Sequence, residues 1–396
     1  MTSTNSSIEN IVVGGGIIGL SIAYELAKRG RAVTVLERER FGRKASWAGA
    51  GILTPANALT AIHPLEHLEA LSHQLHEQWS AELKELTGID NGFMKCGGLY
   101  LGRTNGELAA LNGMELEWRY RKIDFESVDI VDWKRRLASV AEPATMTMQL
   151  DRSKIRKVVW VPGESQFNNA LHIQALVAAC TNLGVVLRPD TGNVAIECSE
   201  NRIDGVSIGP ERLRAEQYYV TAGPWSEQLV APAKVPLPMQ PVRGQIALYK
   251  LPSDGELRPP LPIVNEGTRY LVPRPDGHVL AGATIEQVGF DCRTSEDEIR
   301  ELRTWAEELS GALNPSTYVK SWAGLRPGTY DGFPYLGQLG ELANAFVATG
   351  HFKAGLYLST GTAVVVADLA EGNDSAIDLR PFSPSRASIY QSTDNQ

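Results

Sequence analysis

Apolar residues change their spacing twice within the first forty positions. Residues 8–13 carry a short apolar run that ends at Val13, residues 17–29 place apolar side chains three to four apart, and residues 31–36 return to a β-branched run. Gly14, Gly15, Gly16 and Gly19 sit at the first change and Gly30 at the second, so the order is strand, tight turn, helix, stop, strand, with Glu37 at the end. That order makes a complete βαβ unit.

Further along, residues 65–86 have helical periodicity, while 97–102 and 128–148 mix strand and helix features and open an insertion. Residues 168–183 predict a second helix, followed by an apolar strand. Residues 194–208 alternate like a hairpin that closes on 218–222 and returns to the nucleotide-binding part. Proline is frequent from 236 to 262, and turn residues bound strands at 244–250, 269–273 and 277–283, which predicts an antiparallel substrate domain. An acidic helix is expected at 295–309, glycine-rich loops after it, an apolar helix at 360–370, and a disordered tail beyond Arg380. The fold class expected is α/β in two domains: a Rossmann-like, discontinuous nucleotide-binding domain (1–90, 155–235, 320–375) and an antiparallel-sheet substrate domain (91–154, 236–319), with 376–396 as tail.

Composition narrows the function classes. The chain has 396 residues, is 43% hydrophobic and carries a net charge of −8 from intermixed acids and bases, with no basic run suited to nucleic-acid phosphates. The polar start lacks the pattern of an export signal, and residues 11–26 are too short and glycine-interrupted to span a bilayer, so a cytoplasmic protein without a membrane anchor is expected. Cys96, Cys180, Cys198 and Cys292 show no CxxC pairing and read as apolar fillers. His63 and His67, near Glu66, Glu69, His73, His76 and Glu77, are one helical turn apart, but Pro64 interrupts that turn and no third ligand compels a metal; none is expected. Ser165 and Ser226 lack the context of a hydrolase nucleophile.

The glycine fingerprint gains weight from the strand before it, the helix after it and Glu37 beyond. Gly14 suits the tight turn, Gly16 the approach of a pyrophosphate beside Ile17 and Ile18, and Gly19 close helix packing. Glu37, followed by Arg38, is placed to accept hydrogen bonds from an adenosine ribose. Only one such unit occurs; Gly97-Gly98-Leu99-Tyr100-Leu101-Gly102 lacks the spacing, so electrons must come from the enzyme's own substrate.

Residues 46–53, Ser46-Trp47-Ala48-Gly49-Ala50-Gly51-Ile52-Leu53, resemble the second flavin-binding loop of the D-amino-acid oxidase superfamily. Residues 322–329 (WAGLRPGT), Asp331-Gly332 with Pro334-Tyr335-Leu336-Gly337, and 350–355 (GHFKAG) resemble its glycine oxidase branch, as do Tyr270-Leu271-Val272-Pro273-Arg274 and Gly282-Ala283-Thr284. The resemblance implies noncovalent FAD, since 350–356 contains no cysteine. It implies oxidation of glycine, sarcosine and small D-amino acids to imines and then oxo acids, with oxygen becoming hydrogen peroxide. It also implies that Arg326 grips the substrate carboxylate, that Tyr270 faces the substrate, and that Gly350, His351, Phe352, Lys353, Ala354, Gly355 and Leu356 wrap the flavin. Ser46, Ala50, Gly51 and Ile52 would lie along its ring, and Asn193 and Val194 would hold the adenine. Lys353 stands where the glycine oxidase pattern has arginine and Thr268 where it has histidine, both near the mouth. A homotetramer and a role in thiamine biosynthesis are further implications, and a quinone-linked dehydrogenase of the same superfamily is the alternative.

Overall fold

The computed structural model describes residues 8–128, 150–151, 153–251 and 262–386. Its first sheet has six strands in the order Tyr335–Gln338, Ala345–Thr349, Ala215–Val220, Ile8–Val13, Val33–Leu36, Val186–Arg188, parallel except for the first pair. Successive strands leave Ile8–Val13 in opposite directions, so the C-terminal ends of Ile8–Val13 and Ala215–Val220 frame the switch-point crevice where doubly wound sheets hold ligands. Both faces are covered. Val12, Val35 and Tyr219 pack under the helices Ile17–Lys28, Pro64–Thr87, Asn169–Asn182 and Gly355–Ala370, while Ile11, Val13, Tyr218 and Val220 meet a three-stranded meander, residues 194–213.

The second large sheet has eight strands in the order Tyr318–Gly328, Gln240–Lys250, His278–Gly282, Arg269–Pro273, Ile263–Glu266, Gly98–Gly102, Lys157–Val161, Glu126–Val128. All its pairs are antiparallel except Ile263–Glu266 with Gly98–Gly102. The period of two separates its faces. Val264, Leu271, Val279 and Ala281 pack on the helix Glu296–Leu309, which buries Ile299, Leu302, Trp305, Ala306 and Leu309 and opens with three acids favoured at a helix N-terminus. Ile246, Ile263, Val272, Leu280, Tyr270 and Trp322 face the other way, toward Ala50 and Ile52.

Several elements differ from the sequence expectation. Residues 194–208 do form a hairpin, but it continues into Glu211–Leu213 rather than closing on the strand Ala215–Val220, which joins the parallel sheet. The segment around Arg326, expected as glycine-rich loop, is an eleven-residue edge strand, where Pro327 is tolerated because an outward N–H needs no partner. Both it and Lys157–Val161 hydrogen-bond in the large sheet, although residues 155–235 and 320–375 were expected in the nucleotide-binding domain. The last helix begins at Gly355, five residues earlier than its apolar pattern suggests. The tail is ordered as far as it is described: Phe382 is fully buried, and Arg386 donates to Asp331 Oδ2 at 2.8 Å and Phe333 O at 2.7 Å. The expected mixed segment 128–148 falls, after Val128, outside the described residues.

Candidate active site

A cavity of about 500 Å³ runs from the switch point of the parallel sheet to the inner face of the large sheet. At its first end the chain leaves the strand Ile8–Val13 through Gly14, whose φ of +114° and closeness to Thr221 exclude a side chain: a Cβ would lie 2.5 Å from Thr221 O. Gly16 borders the cavity, and Ile17 N donates to Ser46 Oγ at 2.9 Å. Gly19 does not line the cavity; it sits beneath the turn, where a Cβ would come within 1.9 Å of Gly14 O. Glu37 accepts from Gly15 N at 2.7 Å and Glu39 N at 3.0 Å, so its carboxylate is pinned to the turn while still lining the cavity. Arg38 lies over the Trp225 ring at 4.6 Å, and Thr191 N and Gly192 N tie the loop bearing Asn193 and Val194 to the carbonyls of Glu37 and Arg38.

The middle of the cavity is walled by Ser46, Ala48, Gly49, Ala50, Gly51 and Ile52. Gly51 has φ +69° and approaches Phe167 so closely that a Cβ would be 2.1 Å from its carbonyl oxygen. Behind it, the buried Arg274 donates to Ala50 O at 2.7 Å, Phe167 O at 2.9 Å and Gln166 Oε1 at 2.6 Å, and burial lowers its guanidinium to about 10. Opposite, Phe352 adopts φ +49° and leads into the helix Gly355–Ala370, whose N-terminus with Gly355 and Leu356 meets the cavity and favours negative charge there. His351 and Lys353 also line this wall, whereas Gly350 and Ala354 do not border the cavity. Burial drives the His351 imidazole down to about 3, so it stays neutral, with Nε2 3.0 Å from Thr362 Oγ1.

A second buried polar group lies in the large sheet, beside the strands Gly98–Gly102 and Ile263–Glu266. The Glu164 carboxyl accepts from Tyr100 Oη at 2.6 Å and Asn265 Nδ2 at 3.2 Å, with no cation paired to it among the described residues, and burial raises it to about 7. The folded protein therefore holds a proton that the unfolded chain releases near 4.5, and stability declines as pH rises between those values. Glu164→Gln removes this decline, a difference on the order of 3 kcal/mol at alkaline pH. Melting temperatures of wild type and variant recorded from pH 4 to 9 check it; parallel profiles would rule it out.

At the far end Arg326 projects from the edge strand Tyr318–Gly328 and borders the cavity with Tyr270, Thr268, Lys353, Gly244, Ile246, Ala283 and Ile285. Its Nη1 donates to Arg243 O at 3.2 Å and Thr284 O at 3.0 Å, and among the described residues no carboxylate pairs with it. Burial lowers its pKa, with Tyr270 and Glu286 opposing. An uncompensated guanidinium in a largely desolvated cavity is an anion site, with Nη2 and Nε available for the two oxygens of a carboxylate. Tyr270 stands over Gly282, where a Cβ would be 2.6 Å from the ring, and burial pushes its hydroxyl up to about 12, so it remains a neutral donor. The Lys353 ammonium is lowered by partial burial and by Arg326.

The sequence expectation missed the stretch from Thr221 to Trp225, which lines the cavity at the end of the strand Ala215–Val220, as Gly14 does at the end of its neighbour. Its signal was the run Ala222-Gly223-Pro224-Trp225 directly after a strand. Gly244, Ala283 and Ile285 were missed as lining because only pairing across strands brings them together. Among the described residues no three His, Cys, Asp or Glu side chains converge on a metal position, and no helix is long and apolar enough to cross a membrane.

The narrow glycine turn, the carboxylate at the second strand and the helix N-terminus together fit a dinucleotide, and the broad middle wall of small residues fits a flat ring. Comparison with known proteins agrees. The family model described as FAD dependent oxidoreductase matches residues 10–369. A glycine oxidase of Pseudomonas aeruginosa is 33% identical over 385 residues, covering 94% of this chain and 98% of that one. A bifunctional protein ThiO/ThiG of a Nostoc species is 30% identical over 383 residues, 97% of this chain and 56% of that one. The crystal structure of glycine oxidase from Geobacillus kaustophilus superposes with a TM-score of 0.84 at 30% identity, covering 96% of this chain and 98% of that one.

Proposed function

Because the chain belongs to the FAD-dependent oxidoreductase family, and is in particular an FAD-dependent amino-acid oxidase, we propose that it oxidises glycine, sarcosine and small D-amino acids with oxygen as acceptor. The observation that carries the substrate class is Arg326: a buried cation, without a carboxylate partner among the described residues, at the end of the cavity that the large sheet closes. A substrate carboxylate supplies the missing charge in a two-point contact that also fixes the orientation of its Cα.

FAD, which the Gly14–Ile18 turn, Glu37 and the Ser46–Ile52 wall would hold, would supply the redox chemistry: two-electron oxidation of the substrate at Cα, with oxygen reduced to hydrogen peroxide. The residues of this chain orient the substrate and exclude water around it. Arg326 holds the carboxylate, and the neutral Tyr270 hydroxyl donates to it from the same side. Among the described residues no carboxylate lines the substrate end and the His351 imidazole is hydrogen-bonded to Thr362, so no carboxylate base is at hand to deprotonate an ammonium and the amine enters in its neutral form. Ile246, Ala283 and Ile285 line the substrate end with apolar side chains, which suits a small apolar substituent on Cα. Lys353 and Thr268 stand at the mouth, where they select among small amines. The resemblance to the Nostoc protein ThiO/ThiG supports a place in thiamine biosynthesis, with the imine of glycine as the useful product.

Purified holoenzyme with glycine, sarcosine, D-alanine and D-proline tests this reading. The expected result is loss of the oxidised-flavin absorbance without oxygen and one peroxide per turnover with it. Loss of absorbance without aerobic peroxide would favour a quinone-linked dehydrogenase, and no change with any amine would remove the amino-acid assignment.

A further inference from the structure

Arg326 is held by backbone, not by charge. Its guanidinium lies on the strand Gln240–Lys250 at Gly244, where a Cβ would be 2.1 to 2.3 Å from Nη2, Cζ and Nη1. Its two acceptors, Arg243 O and Thr284 O, belong to different segments. The ladder of Ile246–Lys250 with His278–Gly282 and the Thr284 N to Gln245 O bond at 3.3 Å hold those segments in register, and a bridge ends the pairing, in which Arg243 N donates to Glu286 O at 2.8 Å and Glu286 N to Arg243 O at 3.0 Å. Behind the bridge lies a buried polar knot. The Glu286 carboxylate accepts from Arg243 Nε at 3.1 Å, from Gln245 Nε2 at 2.8 Å, and from Arg243 Nη2 and Thr284 Oγ1. Arg243 Nη1 donates onward to Arg293 O at 2.9 Å.

The segment that carries Glu286 alternates. Ala283 and Ile285 border the cavity, while the Thr284 and Glu286 side chains turn away from it into the knot. With four donors already on its oxygens, Glu286 is committed to Arg243 and makes no ion pair with Arg326, on which it acts only at a distance. The same carboxylate holds the side chains of Arg243 and Thr284, the two residues whose carbonyls receive the Arg326 guanidinium. The carboxylate nearest the anchor is thus paired with Arg243, which leaves Arg326 held by backbone carbonyls and free to pair with an incoming carboxylate.

We propose that Glu286, acting through Arg243 and Thr284, is the positioning residue of the carboxylate anchor. It touches no substrate; it sets the direction of the Arg326 fork, and the inference rests on the reading of Arg326 as that anchor.

The test uses holoenzyme, with acetate as a nonreactive carboxylate titrated against the flavin absorbance and glycine turnover measured alongside. Glu286→Gln keeps the shape but puts an amide N–H among donors and leaves Arg243 with only the longer ion pair to Asp291, at 3.6 Å. Expected are acetate Kd and glycine KM each about 10-fold higher, kcat within about 3-fold and FAD fully retained, the pattern of lost ground-state positioning. In an Arg326→Ala background the same substitution changes glycine kcat/KM by less than about 2-fold, because its effect passes through the missing side chain. An unchanged acetate affinity, or an equal effect in both backgrounds, overturns the proposal. If Glu286→Gln fails to retain FAD, Gln245→Met decides: it removes one donor from Glu286 without removing a charge, so weaker acetate binding supports the proposal and unchanged binding overturns it. Failure of the wild type to bind acetate, or undiminished binding by Arg326→Ala, would instead overturn the reading of Arg326 itself.

Discussion

Arg326→Ala raises the KM for glycine by roughly 10²- to 10³-fold and leaves FAD bound, the cost of removing one partner from a desolvated charge-assisted pair. The size follows from where the guanidinium sits: largely buried, resting on Gly244 and without a carboxylate partner among the described residues. FAD is retained because the glycine turn, Glu37 and the Ala50–Ile52 wall are built from other segments, held by Ser46 and Arg274. Steady-state kinetics with glycine, together with the flavin-to-protein absorbance ratio, check both halves. Loss of FAD along with activity would make Arg326 a structural residue, and an unchanged KM would place the carboxylate elsewhere.

Gly19→Ala abolishes FAD retention although alanine is the better helix former by about 1 kcal/mol. The two effects oppose each other, and sterics decide. A Cβ at Gly19 lies 1.9 Å from Gly14 O and 2.6 Å from Thr221 Oγ1, and the carbonyl cannot yield because Thr221 Oγ1 also donates to it at 2.8 Å. Either the turn opens or the helix Ile17–Lys28 slides off the sheet, and both displace the N–H groups that would face a pyrophosphate. The expected outcome is protein with unchanged far-ultraviolet circular dichroism that carries less than about a tenth of its flavin after gel filtration, an affinity loss of at least about 100-fold. Stoichiometric flavin in the variant would show that the helix can shift without cost.

Much of the cofactor end was legible because its constraints are local. The turn from Gly14 to Gly19 is dictated by φ and by backbone contact within six residues, and Glu37 follows one strand later, so spacing alone identifies it. The helices at Pro64–Thr87 and Glu296–Leu309 declare themselves by apolar period. The long strand Tyr318–Gly328 does not. Its glycines and Pro327 read as loop, and it is a strand only because Gln240–Lys250 presents an open edge to it. The tail reads as disordered because its partners are distant: Arg386 finds Asp331 and the Tyr335 ring, 4.0 Å from its guanidinium, only in the folded chain.

The two ends of the cavity divide in the same way. Residues 8–37 carry the whole dinucleotide fingerprint, because a tight turn, a close backbone approach and a helix N-terminus are properties of consecutive residues. Sequence resemblance marked Arg326 and Tyr270, but their physical case is tertiary. An arginine in a glycine-rich stretch becomes an anion anchor only when Gly244 lies beneath it, Arg243 and Thr284 turn their carbonyls to it, and the nearby carboxylate of Glu286 is already engaged by Arg243. Burial and the allocation of charge depend on contacts between segments about 40 to 80 residues apart, and no local pattern along the chain encodes them.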